Sequence, residues 1–350
     1  MIFLISQEWS NTSENHAGMK YLCNKLQELY PDVYKSLVIP CYFCDNRLYS
    51  NRIVRMFQLL RARCKSLMYC RRLSKKLCTA INSRDVVFLM EYLERLSPMN
   101  LIAAYVHKSK PSVCLWAMVH LVPAKIDASF LKNKEFFRWL NDIKLIFTLG
   151  HTLSDYLTSR GILENKLVTS FHYVDKYYLK KNIQPNNGRV KIIAMGNQMR
   201  NIKLLRKIVG ENLNADFTIC QGVVDMSAFF SEFDNVRLIP YVAESDLRNY
   251  MDESDISLNV MEDTIGSNVI VTSMAMGLAM ICSDVGSIRD YCDESNTIFC
   301  NNNCVEDFSN AIKKLSEDSD LLYSMRLSAQ HKAMLFSIEN FHKDIQKKVV

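Results

Sequence analysis

The sequence contains 350 residues, of which 49% are hydrophobic, and its formal net charge is +6. This length predicts two domains, each with a sizeable core. No apolar run reaches the roughly 18–20 residues of a membrane-spanning helix, so we expect no such helix. The opening MIFLIS lacks the flanks of a signal peptide, so the 12 cysteines are expected to be thiols in a reducing cytosol.

In the first half of the chain, short apolar runs alternate with amphipathic stretches. This alternation is typical of βαβ units that build a parallel sheet with helices on both faces. The segment that follows the first strand enters a helix at Gly18. The predicted strands lie at 2–6, 36–40, 85–90, 112–119 and 145–149.

Cys41 and Cys44 form the only CxxC pair in the chain. Zinc sites usually combine such a pair with a second CxxC or a Cys/His pair, which this sequence does not have. We therefore predict ordinary packed thiols and no metal site.

The stretch 52–76 contains nine Lys/Arg and no Asp or Glu. Its cations alternate with apolar residues such as Phe57, Leu59 and Leu60, as in a helix that lies on an anionic lipid surface. A solvated basic helix face is the alternative interpretation. Nucleic-acid binding is not expected, because no recognition motif accompanies the charge.

The second half repeats the alternation, so a second sheet of the same open type is predicted. The polar, turn-rich stretch 181–189 is the predicted linker. The predicted domains are therefore 1–180 and 190–335, followed by a C-terminal helix at 336–350 that returns to the first domain. Two such sheets joined by one linker are expected to face each other across a ligand cleft. The strands of the second domain are predicted at 190–196, 215–221, 235–240, 255–261, 278–284 and 296–300.

The stretch 266–292 combines a helix start, a helix-ending Gly277, a strand and the turn Asp284-Val285-Gly286. Ser267 or Asn268 can cap the first helical turn, whose N–H groups and positive helix end can hold a phosphate. An ordinary βαβ crossover has the same spacing, so both interpretations stay open at this point.

The same stretch, with its SMAMG and SDVGS motifs, resembles the donor-site signature of the retaining family 4 glycosyltransferases, also described as glycosyl transferases group 1. Similarity continues through 161–179, 190–205 and 236–258, so it covers most of residues 143–350. The N-terminal half matches weakly, chiefly in HAGMKYLCNKL around Gly18.

The resemblance implies the GT-B fold, in which two Rossmann-like domains with doubly wound parallel sheets face a cleft. It also implies transfer of a sugar, with retention, from a nucleotide-diphosphate donor in the C-terminal domain. The N-terminal domain would bind a glycan or lipid-linked acceptor, in cell-surface polysaccharide synthesis at the cytoplasmic face of a membrane. No cofactor is implied, because the nucleotide-sugar is a substrate.

One departure from the family pattern concerns two glutamates, whose positions are occupied here by Thr264 and Thr272. In the family, the second glutamate binds the ribose and the first lies near the donor sugar. A threonine hydroxyl at 272 can still hydrogen-bond a ribose, although more weakly than a carboxylate. Glu262 and Asp263 are either substitutes for the missing charge or solvated loop acids.

Arg200 and Lys203 follow Gly196 at the start of a helix, where cations are not normally favoured. They are expected to grip the diphosphate and to offset its charge without a divalent metal. His120 ends a predicted strand, and the resemblance implies that it contacts the donor sugar; the alternative is a packed core histidine. The expected catalytic residues are His120, Glu262 and Asp263, and the expected donor-binding residues are Gly18, Gly196, Arg200, Lys203, Thr264, Gly266, Ser267, Asn268, Val269 and Thr272.

The sequence is also compatible with two functions other than sugar transfer. A non-catalytic binding subunit would have kept the fold and lost the glutamate pair, as Thr264 and Thr272 suggest. A nucleotide-sugar epimerase of the same fold would need acid/base carboxylates in the cleft.

Overall fold

The computed structural model describes residues 1–9, 15–42, 51–93, 97–129, 135–186, 188–222 and 225–349. The chain divides into two compact units, Met1–Ser170 and Phe171–Val350. We call them the N-terminal unit and the C-terminal unit.

The N-terminal unit contains a six-stranded sheet in the order β2-β1-β3-β4-β5-β6, in which all neighbours are parallel. Its strands are β1 (Ile2–Gln7), β2 (Tyr34–Ile39), β3 (Val86–Tyr92), β4 (Cys114–Val119), β5 (Leu145–Thr148) and β6 (Leu167–Thr169). Its helices are α1 (Met19–Leu29), α2 (Arg52–Ala80), α3 (Met99–Ser109), α4 (Pro123–Ser129), α5 (Glu135–Leu140) and α6 (His151–Ser159).

The C-terminal unit contains a second six-stranded parallel sheet, in the order β12-β11-β10-β7-β8-β9. Its strands are β7 (Lys191–Ala194), β8 (Asp216–Gly222), β9 (Val236–Pro240), β10 (Ile256–Asn259), β11 (Ala279–Ser283) and β12 (Thr297–Cys300). Its helices are α7 (Ile202–Glu211), α8 (Ser227–Phe230), α9 (Glu244–Asp252), α10 (Asn268–Ala275), α11 (Val305–Glu317), α12 (Ser319–Ala333) and α13 (Ile338–Gln346).

The predicted fold class is confirmed, because both sheets are parallel and doubly wound. Strands β10 and β11 are buried along their whole length, as expected of strands covered by helices on both faces. Helix α7 shows the complementary pattern, since it buries Leu204, Leu205, Ile208 and Val209 on one face and exposes its cations on the other.

The boundary between the units falls at Ser170/Phe171, before the predicted linker at 181–189. Residues 171–186 pack within the C-terminal unit: Val174 pairs with Ser337, and the Lys180 N–H donates to Ala275 O over 3.3 Å. The buried Ile183 lies close enough to Gly277 to touch a Cβ placed there. The turn-rich stretch 181–189 therefore lies inside the C-terminal unit.

The C-terminal helix α13 is part of the C-terminal unit. Its Phe341 packs edge-on against Phe171, with ring centroids 6.0 Å apart. Among the described helices, none is both long and apolar enough to cross a membrane.

Candidate functional site

The C-terminal sheet reverses its winding direction between β7 and β10. These strands are neighbours, with Ile256 opposite Ile192, although the chain passes through β8 and β9 between them. In open α/β sheets such a switch point leaves a crevice outside the carboxyl ends of the strands, where ligands bind.

Three loops form this crevice: 195–201 after β7, 260–267 after β10 and 284–287 after β11. The Asn201 N–H donates to Val260 O over 3.0 Å, which joins the first two loops. The Ser287 N–H donates to Thr264 O over 2.7 Å, which joins the second and third. Backbone hydrogen bonds therefore fix all three loops with respect to one another.

Two glycines in left-handed conformations allow this close packing. Gly196 has a φ of +74°, and a Cβ there would lie 3.1 Å from the Val269 side chain. Gly286 has a φ of +54°, and a Cβ there would lie 2.1 Å from Thr264 O. Both positions favour glycine for conformation, and Gly286 also needs it for space.

Helix α10 begins at the mouth of the crevice. Ser267 caps it by accepting a hydrogen bond from the Ile270 N–H at 3.3 Å, as predicted for a cap in this segment. Asn268 and Val269 form the first turn, where N–H groups lack intrahelical acceptors and the helix dipole is positive. This end of the helix is suited to an anion.

Arg200 lies at the end of the β7 loop. Its Nη1 donates to Cys220 O over 3.1 Å, whereas Nη2 is buried and has no acceptor among the described residues. Burial lowers the pKa of Arg200 to about 10, so the group is still a cation at neutral pH. Lys203 is exposed in the first turn of α7. A buried donor without an acceptor marks Arg200 as a ligand-binding candidate.

Thr264 and Thr272 are both buried, and their hydroxyls already have local partners. Thr264 Oγ1 accepts from the Gly266 N–H at 3.0 Å, and Thr272 Oγ1 donates to Asn268 O at 2.7 Å. Each hydroxyl keeps acceptor capacity, because a hydroxyl oxygen has two lone pairs. Their first role, however, is to hold the β10 loop and α10 in shape.

The two loop acids differ in their surroundings. Glu262 is exposed, whereas Asp263 is half-buried and accepts the Thr264 N–H at 2.7 Å. Burial raises the pKa of Asp263. A positioned, half-buried carboxylate is suited to accept hydrogen bonds from hydroxyl groups.

His120 and Gly18 lie in the N-terminal unit. His120 follows β4, and its Nε2 lies 2.9 Å from Met90 O. Burial lowers the pKa of His120 to about 4, so the ring is neutral at pH 7. Gly18 caps α1 with a φ of −88°, a conformation open to any residue. The structure therefore brings together the predicted residues of the C-terminal unit and places these two on the N-terminal sheet and its first helix.

The sequence reasoning missed Glu91 and Tyr291. Glu91 lies at the carboxyl end of β3, where its buried carboxylate accepts the Gln7 N–H at 2.7 Å and the Trp9 indole N–H at 2.6 Å. Tyr291 packs beneath Gly266 and accepts the His172 N–H at 2.9 Å. Glu91 lies outside the stretches singled out in the sequence, and Tyr291 lies at the end of 266–292 but outside its SMAMG and SDVGS motifs, so the folded geometry identifies both.

Within the described ranges, no three His, Cys, Asp or Glu side chains are grouped so as to hold a metal ion. Cys41 lies in the described part of the chain, whereas Cys44 lies outside the described residues.

Comparison with known proteins identifies the class. Residues 183–318, which contain the crevice, match the family described as Glycosyl transferases group 1. The resemblance seen in the sequence is thus confirmed for this part of the chain. No curated protein matches the sequence.

Solved structures extend the likeness to both units. The chain is similar to HepE from Anabaena (TM-score 0.70, 10% identity, covering 99% of each chain). It is also similar to the lipopolysaccharide outer core galactosyltransferase WaaB (TM-score 0.69, 11% identity, covering 99% of each chain). Similarity to TarM of S. aureus (TM-score 0.63, 13% identity) covers 81% of this chain and 58% of that one. The fold is that of the GT-B glycosyltransferases.

Proposed function

We propose that this protein transfers a sugar from a nucleotide-diphosphate donor to a glycan or lipid-linked acceptor, with retention of configuration. The observation that carries the proposal is Arg200, a partly buried cation whose buried Nη2 lacks an acceptor among the described residues, in a crevice that also contains the start of α10. A diphosphate supplies the negative charge that this arrangement needs.

The group 1 family match and the solved relatives support the same substrate class. The solved structure of HepE contains UDP and glucose. For this chain we propose that Arg200 and Lys203 contact the diphosphate together with the backbone near Gly196, Gly266, Ser267, Asn268 and Val269. The cations stabilise charge on the departing nucleotide, so no divalent metal is required.

The remaining predicted residues have proposed roles at the sugar and the ribose. Asp263 is the better placed of the two loop acids to accept hydroxyl hydrogen bonds, because it is half-buried and its backbone neighbour fixes its orientation. Thr272 accepts a hydrogen bond from the ribose, and Thr264 shapes the loop near the sugar. Glu262, His120 and Gly18 complete the proposed set.

We place the reaction in cell-surface polysaccharide or glycolipid synthesis, with the N-terminal unit binding the acceptor. WaaB, whose name describes an outer core galactosyltransferase, is consistent with this placement. We also propose a cytoplasmic location, peripheral on the inner face of a membrane, through the basic stretch 52–76.

A panel of nucleotide-sugars with product detection tests the proposal, and calorimetry with nucleoside diphosphates in the presence of EDTA tests the donor site by itself. We expect metal-free binding and transfer from at least one donor. Binding that requires magnesium or manganese would contradict the metal-free site.

A non-catalytic binding subunit is the second candidate, favoured by the local hydrogen bonds of Thr264 and Thr272. The same two experiments separate the functions. Nucleotide binding without transfer or hydrolysis of any donor indicates the binding subunit.

A further inference from the structure

Helix α2 is longer than the sheet on which it packs. The Tyr69 hydroxyl donates to Val38 O over 3.1 Å, which places Tyr69 level with the carboxyl end of β2. The helix then runs to Ala80, and Asp85 pairs with the Met1 amine at the amino edge of the sheet. Residues 52–68 therefore continue past the carboxyl edge of the N-terminal sheet for about 25 Å, at about 1.5 Å per residue.

The side chains of this extension form an apolar stripe. At about 100° per residue, its members fall within an arc of about 100°. They are strongly exposed, including Ile53 at 68% and Phe57 at 71%. The opposite face carries the buried Ala62, Ser66 and Cys70, so the stripe is directed away from the unit. We define the stripe as Ile53, Phe57, Leu60, Cys64, Leu67 and Met68.

Cations line both sides of the stripe. Arg61 and Arg72 fall on one side of it and Arg63 on the other, at about 70–90° from its centre. Of the nine Lys/Arg in 52–76, none forms an ion pair with a carboxylate of the described residues. A second copy of this chain is a poor partner for this face, because its helix would bring the same cations close together.

An apolar stripe between two rows of cations matches the chemistry of an anionic membrane surface, where acyl chains lie beneath charged headgroups. We propose that the stripe inserts into an anionic lipid bilayer and that the extended helix thereby holds the carboxyl edge of the N-terminal sheet at the membrane. Attachment then has two components: the cations bind headgroups, and the stripe contacts the acyl region.

The position of the extension deepens the proposed function. The carboxyl edge of a doubly wound sheet is where ligands bind, and in the N-terminal unit this edge carries Glu91 and His120. An acceptor that binds at this edge therefore lies at the bilayer surface, as expected of an acceptor anchored in the membrane. This last step rests on the proposed function, whereas insertion of the stripe does not.

The test compares sedimentation of the full chain with vesicles of phosphatidylcholine alone and of phosphatidylcholine with phosphatidylglycerol. At low salt, we expect much stronger binding to the anionic vesicles than to vesicles of phosphatidylcholine alone. At about 1 M salt, where the Debye length falls to about 3 Å, a weaker residual binding should persist through the stripe. The double variant Phe57→Ser/Leu60→Ser should lose the binding that remains at about 1 M salt. At low salt it should bind the anionic vesicles about tenfold more weakly than the unaltered chain.

The matched control is Leu29→Ser/Leu163→Ser, which removes exposed apolar side chains of the same unit outside α2; Leu163 is 65% exposed. It should bind like the unaltered chain. Equal losses in both double variants, or no loss in either, would overturn the proposal. Circular dichroism of each variant shows whether the helix is retained, and Arg61→Glu/Arg63→Glu tests the cationic component separately.

A depth measurement makes insertion itself visible. Tryptophan placed by Phe57→Trp should be quenched by lipids brominated on their acyl chains, whereas tryptophan placed by Leu163→Trp should not. Absence of quenching at both positions overturns insertion even if vesicles sediment the protein. Calorimetry with a nucleoside diphosphate is unaffected by either outcome, so failure of this inference is distinguishable from failure of the donor site.

Discussion

The backbone N–H of Glu262 donates a hydrogen bond to the carbonyl oxygen of Met199 over 2.8 Å, next to the antiparallel pair formed by Arg200 and Met261. The position of Arg200 is therefore set by main-chain contacts between the β7 and β10 loops. Its side chain can be removed without breaking either contact, which makes Arg200 a suitable target for mutation.

Arg200→Ala should reduce transition-state stabilisation by about 2–4 kcal/mol, the range found when a positioned electrostatic donor is removed. The measurement is kcat/KM with the preferred donor, together with calorimetry of nucleoside diphosphate binding in EDTA. The control is Arg206→Ala, an exposed α7 cation paired with Glu232, which should leave both values unchanged. If Arg200→Ala leaves kcat/KM unaltered, Arg200 has a structural role and does not stabilise the transition state.

Gly286→Ala should disturb the donor site through the β10 loop, because its Cβ would lie 2.1 Å from Thr264 O. Gly161→Ala is a close control, since Gly161 also has a positive φ, of +91°, but no neighbouring atom within 4 Å. The control should be destabilised by about 1–2 kcal/mol from backbone conformation alone. Gly286→Ala should lose about 3 kcal/mol or more, and donor affinity as well. Equal effects in calorimetric unfolding would show that the loop adapts.

Asp263→Asn should change stability and activity in opposite directions. Because burial raises the pKa of the Asp263 carboxyl, its ionised form destabilises the folded state at neutral pH. The variant should therefore unfold at a higher temperature at pH 7, and this difference should disappear as the pH falls through the raised pKa. Turnover should decrease if the carboxylate contacts the donor sugar, and Glu262→Gln tests the exposed acid separately. Normal turnover in both variants would rule out a substitute for the family glutamate.

His120 predicts a pH dependence in the N-terminal unit. Its pKa is lowered to about 4 from an ordinary value of 6.5, so between these values the unfolded chain binds a proton that the folded chain does not. The free energy of unfolding should decrease as the pH is lowered from about 6.5 to about 4. His120→Gln should reduce this dependence, whereas the exposed His107→Gln should not. Urea unfolding followed by tryptophan emission reports on this unit, because Trp9, Trp116 and Trp139 all lie in it. Identical pH profiles for His120→Gln and the unaltered chain would contradict the prediction.

The sequence predicted the described strands except the short edge strand β6, because parallel, doubly covered strands are continuous apolar runs. β11, predicted at 278–284, is found at Ala279–Ser283, and β10, predicted at 255–261, is found at Ile256–Asn259. β10 is shorter because the backbone at Met261 leaves its sheet and pairs with Arg200. Apolar periodicity cannot detect such a change of partner.

The side-chain environment of the candidate site was less accessible to sequence reasoning. The motif placed Arg200 near a phosphate, but its burial depends on Cys220 and Met226, which come from β8 and the chain that follows it. The sequence predicts ligand contacts for the hydroxyls of Thr264 and Thr272 but gives no sign of the local hydrogen bonds that both hydroxyls form. The contacts of Arg200 join segments distant in sequence, and the hydrogen bonds of the two threonines depend on the local backbone conformation. Residue types alone specify neither.

The main-chain bonds that join the three crevice loops have a thermodynamic consequence. A ligand that meets loops already in their bound arrangement loses little chain entropy on binding, so more of its interaction energy appears as affinity. Nucleotide association with the C-terminal unit should then be dominated by favourable enthalpy from charge-assisted hydrogen bonds, with only a small change in backbone order. Amide hydrogen exchange at Asn201, Glu262 and Ser287 should be slow before the nucleotide is added and nearly the same afterwards, as in a preorganised site.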